Sequence, residues 1–328
     1  MENGNGLEQA VQSGRISRRD FIKFCGLVTT VLSIPMIDFM KVSEALSATP
    51  RLPVIWLEFQ DCTGDTESFL RAGSDPDPLQ PGLTDPALVD ILLNFISLEY
   101  HETIMSSAGS ASEKSLDDVM TAYPGQYVCI VEGSIPLANN GAYCTIRGQT
   151  ALSIIQKVTA QAKATFAVGS CAWDGGLAAA APNPTGAGGV RDAVPGIMNL
   201  LNLPGCPVNT VNIVAALVYL ITYNTLPPAD SSGRPHFAYG EEIHENCARH
   251  DYYEDHLFVR TWSDEGHRKG WCLFQMGCKG PETRNNCPQV KWNSGTCWPV
   301  EAGHGCIGCA SPHFWDNMTP FYQRLADD

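Results

Sequence analysis

The sequence predicts an α/β protein in which a parallel-sheet domain is followed by a mostly irregular, cysteine-rich domain. In the first two thirds, strand-like apolar runs alternate with helical runs, an order typical of a parallel sheet. The last third has little regular pattern but is rich in closely spaced cysteines. Such a segment is typical of a chain that folds around inorganic cores rather than around a large apolar one.

The elements of the first domain follow from apolar runs and their flanking turn residues. Strands are predicted at residues 53–59, 127–131 and 164–168. Helices are predicted at residues 87–100, 151–162 and 211–222, and the last is too short to cross a bilayer.

Three cysteines lie where such a sheet would bind a ligand. Cys62 and Cys171 come just after predicted strands, and Cys206 lies in a loop between two prolines. Ligands of parallel sheets bind beyond the carboxyl ends of the strands. We therefore expect the three thiols to converge on one site, with separate buried structural cysteines as the alternative.

The last third contains seven further candidate ligands. They are His244, Cys247, Cys272, Cys278, Cys287, Cys306 and Cys309. Thiolates select zinc, copper(I) or iron–sulfur clusters, and imidazole is an accepted partner. A single zinc site needs only four ligands, so the spacing favours two clusters. A structural zinc protein would instead bind zinc and show neither sulfide nor visible absorption.

Composition excludes other classes. The formal net charge of −14 disfavours nucleic acid, because phosphate binding needs clustered basic residues. The 13 cysteines are an odd number in a chain of 328 residues, whereas disulfide frameworks belong to small secreted domains. Metal ligation is the better use of these thiols.

The N-terminus resembles a twin-arginine export signal. Arg18 and Arg19 precede an apolar run at residues 24–37, and small residues near Ala45 and Ala48 offer cleavage sites. The run is about fourteen residues, short of the roughly twenty that span a bilayer. Cys25 lies in the segment predicted to be removed.

With these residues in view, the chain from about residue 50 resembles the small subunit of [NiFe] hydrogenases. The motifs that carry the resemblance keep their order through both domains. They are Cys62-Thr63-Gly64, Glu132-Gly133-Ser134-Ile135-Pro136, Gly169-Ser170-Cys171-Ala172, Pro204-Gly205-Cys206-Pro207, His244-x2-Cys247, Gly277-Cys278-Lys279-Gly280-Pro281, Asn286-Cys287-Pro288, Trp292-Asn293 and Gly303-His304-Gly305-Cys306-Ile307-Gly308-Cys309.

The resemblance implies a signal peptide at residues 1–48, a flavodoxin-like domain at 49–225 that holds a proximal cluster, and a C-terminal domain at 226–328 that holds a medial and a distal cluster. It implies two [4Fe–4S] clusters and one [3Fe–4S] cluster. The proximal [4Fe–4S] ligands map to Cys62, Asp65, Cys171 and Cys206. The distal [4Fe–4S] ligands map to His244, Cys247, Cys272 and Cys278, and the medial ligands to Cys287, Cys306 and Cys309.

The chain departs from the family pattern at Asp65, where a fourth proximal cysteine is usual. A carboxylate is a harder donor than a thiolate but can bind iron through one oxygen, and some related branches are similar in using Asp here. We favour Asp65 as a ligand. Alternatively, Asp65 hydrogen-bonds nearby while water or a spare thiol completes the cluster, or the cluster has three irons. The spare thiols are Cys129, in an apolar strand, and Cys144, in a loop.

At the medial site, Pro299 stands where members with a medial [4Fe–4S] cluster have a fourth Cys. Proline cannot ligate iron, so three thiols are expected to hold a [3Fe–4S] cluster. Cys297 is either a free thiol or a displaced fourth ligand. The two extra proximal cysteines of the best-known oxygen-tolerant group are replaced by Gly64 and Gly176.

Two other residue types have less specific roles. Glu132 is expected either to move protons or to shape the loop beside the proximal site. His304 is expected to hydrogen-bond near the medial site, whereas His101 and the remaining histidines have no ligand spacing and are expected to be ordinary surface or core residues.

The resemblance implies the electron-transfer subunit of a periplasmic hydrogenase whose large subunit carries the nickel–iron centre. Electrons would leave to a cytochrome c or a membrane cytochrome b. No C-terminal membrane anchor of its own and no nucleic-acid partner are expected, so membrane association would come through another subunit. The alternative is an iron–sulfur subunit of another respiratory oxidoreductase, because the first domain alone resembles a quinone-reductase subunit.

Overall fold

The computed structural model describes residues 18–33, 35, 38–48, 50–71, 92–292 and 295–325. The start of the predicted helix at 87–100 and Asn293 of the Trp-Asn motif lie outside these residues. So do part of the predicted apolar run at 24–37 and the last three residues of the chain.

A five-stranded parallel sheet forms the centre of the fold, with strand order β2-β1-β3-β7-β9. The strands of the described residues are β1 (Leu52–Glu58), β2 (Ile96–His101), β3 (Val128–Glu132), β4 (Ile135–Pro136), β5 (Thr145–Ile146), β6 (Gln149–Thr150), β7 (Ala164–Val168), β8 (Ala187–Gly188) and β9 (Leu200–Leu203). The short strands form two antiparallel pairs, β4 with β8 and β5 with β6. Counted within the large sheet, the order is 2-1-3-4-5, which is the flavodoxin-like arrangement. The predicted fold class is confirmed.

The three predicted strands are present as β1, β3 and β7, with ends that differ by no more than one residue. The helix predicted at 87–100 is wrong from Ile96 onward, because Ile96–His101 is a strand; Leu92, the first described residue of the range, is helical. It pairs with β1, with Leu52 opposite Ile96. The sheet supplies an edge for this segment, and that long-range pairing overrides the local apolar pattern. Strand β9 was not predicted, since its four residues give too short a pattern.

Helices cover both faces of the sheet. They are α1 (Arg18–Val31), α2 (Asp38–Ala48), α3 (Gly64–Arg71), α4 (Ser110–Ala122), α5 (Ala151–Thr159), α6 (Gly169–Asp174), α7 (Val190–Ala193), α8 (Thr210–Tyr223), α9 (His236–Tyr239), α10 (His250–Glu254), α11 (Glu265–Lys269), α12 (Cys287–Val290) and α13 (Phe314–Asn317). Short 3-10 turns lie at Ala138–Gly141, Gly176–Ala179, His244–Asn246, Phe274–Met276 and Gly280–Glu282.

Each face of the sheet has its own apolar core. Leu116 of α4 and Ile155 of α5 pack with alternate strand residues on one face. Phe69 of α3 and Val214 of α8 pack on the other. The predicted helices at 151–162 and 211–222 are confirmed as α5 and α8, and the Asn209 side chain accepts a hydrogen bond from Val211 N at the start of α8 (3.0 Å).

The C-terminal part consists of turns and helices of no more than five residues. A small apolar cluster there includes Cys287 and Cys306, with Cys247 and Cys278 packed against it. The C-terminal part therefore has little regular structure, as predicted, and several of its cysteines lie in or against this small apolar cluster.

The N-terminal helices α1 and α2 pack against α8. Phe24, Cys25 and Val28 are buried there, and the rings of Phe24 and Phe95 lie 6.2 Å apart. Among the described residues no helix combines the length and apolarity that a bilayer span requires. The domain boundaries at 48/49 and 225/226 stay a prediction.

Candidate metal centres

The predicted proximal ligands meet at the carboxyl edge of the sheet. Cys62 lies in the loop after β1, and Asp65 is the second residue of α3. Cys171 lies in α6, directly after β7, while Cys206 follows β9. Because β1, β3, β7 and β9 are consecutive parallel neighbours, their loops reach one edge.

The pKa values of these thiols reflect their proximity. Burial raises the pKa of Cys171 to about 12, and the nearby Cys206, Asp65 and Cys62 raise it further. Burial likewise raises the pKa of Cys206 to about 12, with Cys309, Asp65 and Cys62 contributing. The four groups therefore repel one another when ionised, and a bound cation would relieve that repulsion.

Glycines leave room beside three of these ligands. A Cβ added to Gly169 would lie 2.0 Å from Asp65 Oδ2, and one added to Gly176 would lie 2.4 Å from Cys171 Sγ. A Cβ on Gly64 would lie 3.0 Å from Cys62 Sγ. This cradle suits three thiols and one carboxylate converging on a cofactor, and a larger residue would fill it.

Asp65 is held as a ligand would be. Its side chain is only 7% exposed, and its Oδ1 accepts a hydrogen bond from Val208 N (2.6 Å). Burial holds the pKa of Asp65 well above its usual range, and the charges of Glu132 and Asp61 add to the rise. A bound iron would hold this carboxyl group in its ionised form.

Glu132 supports the loop that carries Asp65. It is fully buried, and its carboxylate accepts hydrogen bonds from Asp65 N (2.9 Å), Thr66 Oγ1 (2.5 Å) and Trp56 Nε1 (3.2 Å). A carboxylate at the first turn of a helix satisfies backbone N–H groups that have no intrahelical partner. Shaping the loop is thus a role that the contacts of Glu132 demonstrate.

Behind this carboxylate lies a buried network that sequence reasoning missed. His101, 1% exposed, has Nε2 at 3.2 Å from Thr66 Oγ1 and Nδ1 at 3.4 Å from Glu58 Oε2. Because the single hydroxyl proton of Thr66 goes to Glu132, Thr66 accepts from His101 Nε2, and this nitrogen therefore carries a proton. The hydrogen bond and charge of His101, with hydrogen bonds from Thr103, lower the pKa of Glu58 although burial alone would raise it. His101 is therefore a core residue, and only the tertiary contact identifies its role.

The four predicted distal ligands line one cavity. It is bounded by His244, Cys247, Cys272 and Cys278. His244 is half-buried, with its ring 4.7 Å from that of His250 and 4.5 Å from that of Tyr253. Burial and then the neighbouring His250 lower the pKa of His244. The neutral imidazole that ligates metals is therefore favoured.

Two of the predicted medial ligands, Cys287 and Cys306, are buried, and the third, Cys309, is half-buried. Burial and then the thiols of Cys309 and Cys306 hold the pKa of Cys287 well above its ordinary value. Burial raises the pKa of Cys306 too, with Cys278 and Cys309 contributing. The Cys306 amide donates to Cys278 Sγ (3.2 Å), so the medial and distal ligands are in direct contact.

Cys129, Cys144 and Cys297 are not among the predicted ligands. Cys129 is fully buried within β3. Cys144 is half-buried, and its pKa is raised by burial and by Glu102 and Asp61 rather than by other thiols. Cys297 is half-buried, accepts through its carbonyl from Trp292 N (2.9 Å), and is not part of the apolar cluster that contains Cys287.

Comparisons with known families match both parts of the chain. Residues 239–322 match the family described as NiFe/NiFeSe hydrogenase small subunit, C-terminal. Residues 62–220 match the family described as NADH ubiquinone oxidoreductase, 20 kDa subunit. The second match explains why the first domain alone resembles a quinone-reductase subunit, and the first match accounts for the ligands that such a subunit lacks.

Relatives match over nearly the whole length. The periplasmic [NiFe] hydrogenase small subunit 1 of Nitratidesulfovibrio vulgaris is 44% identical over 97% of this chain and 96% of its own. The quinone-reactive Ni/Fe-hydrogenase small chain of Wolinella succinogenes is 42% identical over 95% of this chain and 85% of its own. A solved chain of the Ni-Fe-Se hydrogenase from Desulfomicrobium baculatum is 34% identical with a TM-score of 0.74, covering 84% of this chain and 100% of its own. The chain therefore belongs to the family of [NiFe] hydrogenase small subunits.

Proposed function

We propose that this chain carries a proximal [4Fe–4S], a medial [3Fe–4S] and a distal [4Fe–4S] cluster in the hydrogenase of which it is the electron-transfer subunit. The hydrogen-activating nickel–iron site of such an enzyme lies on the large subunit. The observation that carries the proposal is the grouping of the predicted ligands into three neighbouring sets. The medial set contacts the distal set through Cys306 and Cys278, and Cys206 of the proximal set lies near Cys309 of the medial set.

Bound clusters would supply one-electron transfer through changes in iron oxidation state. The residues of this chain hold the clusters and set their environment. Backbone N–H groups donate to ligand sulfurs at Cys247 (from Arg249 N, 3.4 Å) and Cys306 (from Gly308 N, 3.4 Å). Such hydrogen bonds disperse negative charge on sulfur and so raise cluster potentials.

Asp65 is proposed as the fourth proximal ligand. Its burial, the glycine beside its Oδ2 and its position among three thiols support ligation. Cys129 and Cys144 are poor substitutes, because one lies inside a strand and the other interacts with carboxylates rather than with the proximal thiols.

For the medial site, three thiols and Pro299 support a [3Fe–4S] cluster. Cys297 pairs with Trp292 through a short antiparallel bridge. A substitution tests this point: Pro299→Cys should supply a fourth thiol and convert the cluster to [4Fe–4S].

A periplasmic location after twin-arginine export is proposed from the N-terminal motif and from the relative that is named periplasmic. The external acceptor is proposed to be a basic cytochrome c, with a membrane cytochrome b as the alternative. Acidic side chains surround His244 at the predicted distal site, and they include Glu245, Glu254 and Glu242. An acidic rim favours encounter with a basic partner.

Electron paramagnetic resonance on the oxidised large–small complex tests the cluster assignment. The natural chain should give one near-isotropic [3Fe–4S] signal, and Pro299→Cys should abolish it while adding one iron. Cys297→Ser should leave the signal unchanged. Absence of the signal in the natural chain, together with its appearance in Cys297→Ser, would make Cys297 the fourth medial ligand.

A further inference from the structure

Ser170 is a buried hydroxyl between the predicted proximal and medial ligands. It precedes Cys171 in α6 and is 2% exposed. Its Oγ donates to the carbonyl oxygen of Cys309 (2.5 Å) and accepts from Gly205 N (3.1 Å). Its own N–H donates to Gly205 O (2.8 Å). One residue thus joins the segments that carry Cys171, Cys206 and Cys309.

The two side-chain bonds of Ser170 each satisfy a backbone group. A hydroxyl can donate once and accept at the same time, and Ser170 uses both capacities on backbone groups that belong to different ligand loops. An alanine there would remove the oxygen that bridges Gly205 N and Cys309 O. An unpaired buried backbone group is unfavourable, so the loops would move.

The Gly205 loop can move only as a unit. Gly205 has φ +152°, and a Cβ there would lie 2.6 Å from Pro207 O. The turn is therefore tight, and a displacement of Gly205 carries Cys206 with it. Ser170 thus determines how closely Cys206 lies to the segment of Cys309.

This distance affects the environment of the Cys309 sulfur. The backbone N–H of Cys206 is directed at the sulfur of Cys309. An N–H group directed at a ligand sulfur favours the reduced cluster. Separation of the two segments would weaken both the contact and this stabilisation.

We propose that Ser170 is a positioning residue for electron transfer between the proximal and medial clusters, acting by holding the Cys206 loop against Cys309. The inference rests on the cluster assignment proposed above. It adds a residue that is not itself a ligand and that joins two consecutive sites.

The test is a redox titration of the large–small complex followed by electron paramagnetic resonance. Ser170→Ala should keep its full iron content, but the medial cluster should be harder to reduce. At the potential where the natural medial cluster is half reduced, the ratio of oxidised to reduced cluster should rise at least about twofold, a change that corresponds to a fraction of a kcal/mol. The magnetic splitting that the medial and proximal clusters impose on each other should also change.

Ser115→Ala is the control. The Ser115 hydroxyl also donates to a backbone carbonyl of another segment, Glu99 O (2.9 Å), but neither residue belongs to a segment that carries a predicted ligand. Ser115→Ala should leave the ratio and the splitting at their natural values. Ser170→Thr retains the hydroxyl and should restore both if Ser170→Ala also loses iron.

Two results would overturn the proposal: Ser170→Ala matching Ser115→Ala in ratio and splitting, or, where Ser170→Ala loses iron, an iron-complete Ser170→Thr complex that restores neither. A natural complex without any [3Fe–4S] signal is a different failure. It would contradict the medial cluster assignment itself and would be seen before any Ser170 variant is made.

Discussion

Replacing Gly169 by alanine should damage the proximal site more than an ordinary glycine substitution does. Gly169 has φ +77°, where a side chain costs about 1–2 kcal/mol. Its new methyl group would also lie 2.0 Å from Asp65 Oδ2. The carboxylate cannot rotate away while its Oδ1 binds Val208 N at 2.6 Å. Loss of that charged hydrogen bond adds about 1.5–3 kcal/mol.

Gly125→Ala is the control that separates backbone strain from the steric clash with Asp65. Gly125 has φ +72° and nothing within 4 Å of an added Cβ, so it bears the backbone cost alone. Because iron–sulfur proteins unfold irreversibly, the comparison is made on thermal half-life. If the extra cost acts on the unfolding rate, the half-life of Gly169→Ala should be at least about tenfold shorter than that of Gly125→Ala.

The same variant reports on the proximal ligand. Displacement of Asp65 should release the fourth proximal iron, giving one iron fewer and a second [3Fe–4S] signal. Gly125→Ala should keep the natural iron content. A Gly169→Ala complex with full iron, one such signal and the half-life of Gly125→Ala would refute the proposed role of this glycine and of the carboxylate beside it.

Three further predictions concern other parts of the chain. Burial raises the pKa of Glu102 from 4.5 to about 7. Between these two pKa values the folded state keeps a proton that the unfolded state loses, so stability falls as pH rises through this range. Glu102→Gln should flatten the decrease in thermal stability between about pH 5 and 8. In the unprocessed chain Cys25 is fully buried, and burial raises its pKa to about 12. Its alkylation, followed by mass spectrometry, should therefore be at least about tenfold slower in the folded chain than in urea. Asn212 and Asn286 exchange two buried amide hydrogen bonds (3.0 and 2.8 Å); Asn212→Leu should destabilise the complex by about 1–3 kcal/mol, measured by thermal half-life.

Each of these has a contradicting result. A pH profile for Glu102→Gln parallel to the natural one would mean that another group causes the decrease. Rapid labelling of Cys25 in the folded chain would show that α1 is not packed as described. The control is Asn199→Ala, which removes an exposed amide contact to Lys163 O and should change the thermal half-life little. A half-life for Asn212→Leu equal to that of Asn199→Ala would show that the buried pair adds no stability.

Much of the fold could be predicted from local patterns. Residues 164–168 are apolar, bounded by turns, and form a strand as predicted. Residues 96–101 were misassigned because a preceding apolar run gives a helical spacing, and only the pairing with β1 selects the strand. Four-residue β9 has too few residues for its period to be distinguished from a loop.

The candidate site could likewise be predicted only in part. Ligand candidates could be predicted because cysteine spacing and turn residues are local features. The support of the site could not, since Glu132, His101 and Ser170 act on residues 35 to 139 positions away in the chain. Polar side chains of this kind are common in any sequence, and only their tertiary partners distinguish them.

The central claim is that three clusters of defined type lie in this chain. The most direct measurement is the iron content of the oxidised large–small complex by Mössbauer and electron paramagnetic resonance spectroscopy. Two [4Fe–4S] clusters and one [3Fe–4S] cluster should be found, with a single near-isotropic signal of one spin. Two such signals would show that Asp65 does not hold a fourth iron, and a complex that contains zinc but no sulfide would contradict the claim entirely.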